Sequence, residues 1–166
     1  MRYDEWEIAL GRVFAAVSDA GLVHFELEQP DRPLKRSPDW RRDPGALAEV
    51  RRQFAEYWAG ERQRFELALD LRGTEFQRRV WRALARIPFG RTASYLDIAT
   101  AIDNPKAVRA VGAANGKNPV WVIVPCHRVI GKSGSLVGYG GGLLLKEQLL
   151  EHERRVGARA AASSSA

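Results

Sequence analysis

The sequence predicts an α+β (α/β) protein of two domains, and three observations predict it. Apolar and polar residues alternate loosely over 6–27 and cleanly over 65–71, as strands require. Helix-start signals then follow one another from Thr74 to Asn104. Between the two regimes lies Leu71-Arg72-Gly73, which reads as the junction of two domains. The expected boundaries are an N-terminal α/β domain over 1–70, a C-terminal domain over 71–156 and a disordered tail over 157–166. A chain of 166 residues, 45% of them apolar, has material for two small cores.

Taken in order, Val13–Val17 and Leu22–Leu27 read as a β-hairpin, with Asp19-Ala20-Gly21 turning between them. Residues 28–43, rich in Pro, Arg and Asp, read as a solvated loop. Asp43 caps a helix that has Pro44 at its first position and Gly60 at its end. Leu47, Val50, Phe54, Tyr57 and Trp58 recur on that helix at the spacing of a buried stripe. Phe65, Leu67, Leu69 and Leu71 alternate, so a strand is expected there. Trp6, Trp40 and Trp58 read as packing residues and His24 as a strand histidine. None of this carries evident chemistry.

Thr74-Glu75-Phe76-Gln77 is a capping box, followed by a helix with Phe76, Val80, Trp81 and Leu84 on one face. Arg78, Arg79 and Arg82 fall elsewhere, on a solvated face with DNA contact left open. Pro88-Phe89-Gly90 breaks the helix. Two short helices follow at helix-turn-helix spacing. Ser94 caps the first, with Asp97 three residues on and Leu96, Ile98, Ala99 and Ile102 as its apolar set. Asn104 and Pro105 open the second, expected over 105–115 and closed by Gly116. Val108 and Val111 face its core side; Ala110 and Ala113 lie opposite, flanked by Lys106 and Arg109. A smooth face edged with cations suits a nucleic-acid groove, although alanines also suit tight helix packing. Lys and Arg outnumber Asp and Glu by 26 to 20, a net +6 that suits a polyanionic partner without proving one.

Val120–Val124 reads as a buried strand stopped by Pro125, which places Cys126 where the chain turns. This is the only cysteine, so no internal disulfide forms, as suits a reducing cytosol. A lone cysteine is commonly a small buried hydrophobe. Imidazole and guanidinium neighbours instead offer a setting that favours thiolate. On the final helix, from Leu143 to Arg155, the wheel puts Lys146 and Glu153 within the apolar stripe of Leu149 and Leu150. A carboxylate there needs a partner, such as His127 or Lys146. No apolar run reaches the roughly 18 residues that span a bilayer, and Met1–Glu5 does not open a signal peptide. A cytoplasmic protein is expected.

Pro125-Cys126-His127-Arg128-Val129-Ile130, followed by Gly138-Tyr139-Gly140-Gly141-Gly142, resembles the O(6)-alkylguanine-DNA alkyltransferases, the methylated-DNA–protein-cysteine methyltransferases. The resemblance runs back through Asn118-Pro119, Arg109-Ala110-Val111-Gly112 and Ser94-Tyr95 and forward to Glu153, covering roughly residues 71–154. It implies a ribonuclease-H-like first domain and a winged-helix-like second one. It implies a suicide enzyme that takes the alkyl group of O(6)-alkylguanine, with O(4)-alkylthymine as a further substrate, onto Cys126 in a single turnover after base flipping. His127 would be the base, acting through a water, with Glu153 orienting it. Tyr95 would polarise the leaving guanine, and Asn118 would be a hinge. Val129, Tyr139 and Gly140 would line the guanine pocket. Arg109 would be the finger that fills the vacated stack, beside Ser94, Lys106, Ala110 and Ala113 on the DNA face. The implied partner is double-stranded DNA met in the minor groove by a monomer, with cooperative binding left open. No cofactor and no metal is implied: some relatives carry zinc in the first domain, but cysteine ligands for it are absent here.

Two other readings stand beside this one. A cysteine hydrolase would need His24 or His152 as its distant histidine, and neither sits in a supporting motif. A purely DNA-binding relative would lack the cysteine that this chain retains.

Overall fold

The computed structural model describes residues 1–131 and 142–164, with side chains as far as Ala161. The chain forms two compact units, residues 1–72 with 119–123 and residues 73–118 with 124–166. The chain passes from the first unit to the second between Arg72 and Gly73, leaves the second at Asn118 and rejoins it at Val124.

The first unit is built on a four-stranded sheet of β1 (Arg2–Ile8), β2 (Gly11–Val17), β3 (Leu22–Leu27) and β4 (Arg41–Arg42), in the order β3-β2-β1-β4. The expected hairpin is β2 (Gly11–Val17) with β3 (Leu22–Leu27), paired antiparallel with an irregularity between Ala16 and Val17. Sequence reading missed β1 (Arg2–Ile8), which pairs antiparallel with β2, and the two-residue β4 (Arg41–Arg42) beside it. Asp4 hides β1, because a carboxylate interrupts the apolar alternation yet is 2% exposed. Its burial is offset by Arg42 at 3.1 Å and Arg51 at 3.9 Å. Trp6, Phe25, Phe54 and Tyr57 make a chain of ring contacts between sheet and α1 (Ala48–Trp58). Tyr3, Phe14 and Ala16 form a second cluster, where Trp40 stacks on Phe14 and His24 packs against Trp40.

Asp43 caps the expected helix start, its side chain accepting from Ala46 N, though the first turn, Pro44–Leu47, is a 3-10 helix. The strand expected over 65–71 is a correction. That segment is extended, with a single bridge between Leu69 and Leu22. A side chain takes the place of a neighbouring strand: Gln53 Nε2 donates to Glu66 O (3.1 Å) and Gln53 Oε1 accepts from Glu66 N (2.8 Å). The free edge of β3 is also covered at its far end, where Phe25 N donates to Pro119 O and Trp121 N to Phe25 O. An edge so covered cannot template further pairing.

The strand expected over Val120–Val124 is likewise absent. Val120 makes an isolated bridge to Phe25, and the chain then turns tightly at Val122, φ 68°, where Ile123 N donates to Trp121 O at 2.7 Å. A β-branched residue at positive φ interrupts any strand.

In the second unit α2 (Glu75–Leu84) starts at a complete capping box of Thr74 and Gln77. Val80, Trp81 and Leu84 are buried, and Trp81 Nε1 donates to Ala114 O at 2.9 Å. Ser94 and Asp97 form the expected capping box of α3 (Tyr95–Ala101). Leu96, expected in the apolar set, is 47% exposed; Ile98, Ala99 and Ile102 carry the packing.

The second helix of the pair, α4, spans Val108–Gly116 rather than 105–115, and Asn104 does not cap it. Asp103 takes φ 58° and ends α3, with Asp103 N donating to Thr100 O and Asn104 N to Ala99 O. Pro105 therefore lies in a turn, closed by Ala107 N to Asn104 O. On α4 Val111 is buried while Arg109, Ala110 and Ala113 are exposed, as is Lys106 before it. The last helix, α5, runs from Leu143 to Ser164, so the expected disorder from 157 is also corrected. Ala158, Ala160 and Ala161 are the strongest helix formers and sustain it without burial. Among the described residues no helix is long and apolar enough to cross a membrane.

Gln53→Ala removes both partners of the Glu66 backbone and should lower the unfolding free energy by about 2–4 kcal/mol in urea titration. Asp103→Gly relieves an exposed left-handed residue and should raise it by up to about 1 kcal/mol.

Candidate active site

Cys126, His127 and Arg128 form one 3-10 turn, each buried, followed directly by β6 (Val129–Ile130). Pro125, at φ −81° and ψ 63°, sets the turn up, with Cys126 N donating to Val124 O at 2.8 Å. β6 pairs in parallel with β5 (Ala93–Ser94), Ala93 opposite Val129 and Ser94 opposite Ile130. That ladder fixes the residue after β5, Tyr95, with respect to the cysteine turn. The half-buried Tyr95 ring also borders Gly112 of α4, where an added Cβ would lie 3.8 Å from Cε1.

Three side chains converge on buried partners. Asn118 Nδ2 donates to Cys126 Sγ at 3.1 Å and to Val124 O at 2.9 Å. His127 Nε2 lies 2.7 Å from Glu153 Oε2. Arg128 grips the same carboxylate with two nitrogens, Nε to Oε1 at 2.8 Å and Nη2 to Oε2 at 3.0 Å. Gly90 N also donates to Oε1, at 3.1 Å. The Arg128 guanidinium further donates to Ile87 O at 2.7 Å and lies 5.7 Å from the Phe89 ring centroid. Glu153 thus ties α5 to the cysteine turn and to the Pro88-Phe89-Gly90 turn.

Of the two partners expected for Glu153, His127 is present; Lys146 donates to Val129 O at 2.5 Å. Arg128 and the Gly90 amide escaped sequence reading. A carboxylate has about four acceptor positions, and one imidazole fills one of them, so further donors were to be sought beside His127.

Burial raises the Glu153 carboxyl, but the His127 bond and charge and the Arg128 fork outweigh it and hold the group well below the usual carboxylate range. An ionised Glu153 accepts, so His127 Nε2 carries the proton and Nδ1 keeps its lone pair. Burial pushes the imidazole below its ordinary value, with Glu153 opposing. His127 is therefore neutral at pH 7.

The thiol departs from the thiolate-favouring setting expected of it. Burial pushes Cys126 up to about 11, against the Asn118 hydrogen bond, the Lys146 charge and the amides of Cys126 and His127. At rest it is a protonated thiol beside a neutral base. Burial and the nearby Cys126 sulfur raise the Tyr95 phenol, which stays a hydrogen-bond donor.

Ser94 Oγ is engaged with Asp97 N in the α3 cap. Lys106, Arg109, Ala110 and Ala113 present an exposed face of the second unit. Tyr139 and Gly140 lie outside the described residues. No cluster of His, Cys, Asp and Glu suited to a metal ion occurs among the described residues.

The arrangement defines a class, that of helix-turn-helix proteins bearing one buried thiol beside a histidine–glutamate pair. Residues 75–155 match the model of a family described as 6-O-methylguanine DNA methyltransferase, DNA binding domain. The methylated-DNA–protein-cysteine methyltransferase of Mycolicibacterium paratuberculosis is 59% identical over 93% of both chains. That of Methanosarcina barkeri is 42% identical over 92% of this chain and 97% of its own. Among solved structures, Mycobacterium tuberculosis OGT in complex with DNA superposes with a TM-score of 0.87 at 45% identity, covering 94% of each chain. An O6-methylguanine DNA methyltransferase from Methanococcus jannaschii follows at 0.66 and 28%, over 91% and 93%. The chain belongs to the methylated-DNA–protein-cysteine methyltransferase family.

Both lowered groups, His127 and Glu153, bind protons more weakly folded than unfolded, so each stabilises the fold above its unfolded pKa and less below it. Stability should begin to fall as pH drops below about 6.5 through His127, with His24 adding to it, and fall further below about 4.5 through Glu153. Denaturant titrations at stepped pH, comparing the parent with His127→Asn, read the first step. Arg128→Met leaves the carboxylate under-paired and should cost about 3–5 kcal/mol at neutral pH.

Proposed function

We infer that this protein repairs DNA by direct reversal, moving the methyl or larger alkyl group of O(6)-alkylguanine in duplex DNA irreversibly onto Cys126. O(4)-alkylthymine presents a similar alkyl–oxygen bond and is included. The observation that carries the reading is the lone thiol held by Asn118 beside the Glu153–His127 pair, in a chain of this family. The sulfur attacks the alkyl carbon in line, a carbon–sulfur bond forms, and the carbon–oxygen bond to the base breaks. The thiol proton leaves first, through a water, to His127 Nδ1, while Glu153 keeps the opposite nitrogen protonated. Electrons of the broken bond depart on guanine, and the Tyr95 phenol, kept protonated by its surroundings, donates toward that base. The product is a thioether, and with no second thiol in the chain each molecule acts once.

A base inside a duplex is out of reach, so it is flipped at a cost of a few kcal/mol. The exposed face of α4 supports the DNA assignment: Ala110 and Ala113 permit close approach, and Lys106 and Arg109 supply cations. Arg109 takes the finger role and fills the vacated stack, Ser94 adds a contact at the start of α3, and the approach is from the minor groove. Val129, with Tyr139 and Gly140, holds the guanine, and Asn118 links α4 to the cysteine turn as a hinge. The protein binds as a monomer, with cooperativity along DNA decided by titration against duplex length. A DNA substrate accords with a cytoplasmic location.

Mixed with duplex DNA carrying one O(6)-methylguanine, the intact protein should gain one methylene on Cys126, saturating at one per chain, and Cys126→Ala should gain none. Tight lesion binding without any mass gain would establish a binding module instead. Tyr95→Phe should slow transfer by about a hundredfold. Arg109→Ala should weaken transfer from duplex DNA far more than transfer from the free base.

A further inference from the structure

Lys146 is a fully buried group in the site, and the alkyl-transfer mechanism gives it no work. It is 0% exposed, in the apolar stripe of α5 between Leu145 and Leu149. An ammonium in such a place loses its hydration, which is costly unless something local favours the charge. Part of the answer is the Val129 carbonyl, 2.5 Å from Nζ. A carbonyl, however, could be met as well by a neutral donor such as glutamine. The charge itself calls for a reason.

We propose that Lys146 is a positioning residue for the alkyl transfer: its buried ammonium fixes the Val129 carbonyl and supplies the positive charge against which the Cys126 thiolate forms. The inference rests on Cys126 being the acceptor. Arg128 and His127, on the cysteine turn itself, both face Glu153, so the guanidinium is matched by a carboxylate. Tyr95, across the β5–β6 ladder, contributes a neutral phenol. Lys146 comes from α5 and bonds the backbone three residues beyond the sulfur. Its charge acts in the required direction, opposing the burial that disfavours thiolate, and the sulfur in turn opposes the burial that disfavours the ammonium. Each stabilises the other's ionised form.

The single cysteine makes the test unambiguous. Labelling of Cys126 by a small methylthiolating reagent is followed across pH 6–9 in the full-length protein, and its rate tracks the thiolate fraction. Lys146→Gln keeps a donor for Val129 O and deletes only the charge; Lys146→Met deletes both. Both should label about tenfold or more slowly than the parent at neutral pH, their rate–pH curves displaced to higher pH. Lys146→Gln labelling at the parent rate, with an unshifted profile, would reduce Lys146 to a structural prop and overturn the proposal. Should Lys146→Met not fold, the glutamine variant decides the matter alone. Methyl transfer from O(6)-methylguanine duplex is measured in parallel on the parent protein. A parent that labels but gains no methyl sinks the repair reading, while the labelling comparison still judges Lys146.

Discussion

The buried Glu153 carboxylate is the constraint on which the second unit depends. An ionised carboxylate away from water is tolerable only when its acceptor positions are filled. Here they are filled from three directions: the His127 ring, the Arg128 fork and the Gly90 amide. Each partner is thereby held in register with the others. The imidazole is turned so that one nitrogen faces the carboxylate and the other is left as an acceptor. The Pro88-Phe89-Gly90 turn is drawn to the same point, and from it the chain runs into β5 and Tyr95. One unit of negative charge thus sets both the protonation state of the imidazole and the placement of Tyr95, the residue proposed to act on the leaving group. A hydrophobic replacement could fill the space but could not impose this orientation.

Much of this was legible in the sequence because it is encoded locally. The capping boxes at Thr74 and Ser94 need only four adjacent residues, and both are formed. The burial of Lys146 and Glu153 follows from helical periodicity, which a single wheel displays. Non-local arrangements were less legible. Asp4 concealed β1 because its compensating arginines are more than thirty residues away. Phe65–Leu71 alternates like a strand, yet a glutamine side chain satisfies the backbone there. Val120–Val124 has the composition of a strand and the geometry of a turn, since tertiary context holds Val122 at positive φ against its preference. Asn104-Pro105 looks like a helix start, but Asp103 had already claimed the left-handed position that closes the helix before it.

The direction of the thiol's shift was the clearest physical surprise. Neighbouring imidazole and guanidinium in a sequence suggest a positive environment, but both groups here are directed to Glu153. Proximity along the chain did not translate into charge at the sulfur. What the sulfur receives is a hydrogen bond from Asn118, the amides of Cys126 and His127 and the charge of Lys146 on α5, and burial outweighs them all.

That burial has a consequence for the lifetime of the unused protein. With burial pushing the thiol up to about 11, very little of it is thiolate at neutral pH. Peroxides and stray electrophiles react with thiolate, so the resting sulfur is chemically quiet toward them. A protein able to act once cannot be regenerated after a wasted reaction, so its usefulness depends on shelf life as much as on speed. A sulfur that is sheltered in storage and deprotonated only when a base is in place meets both needs.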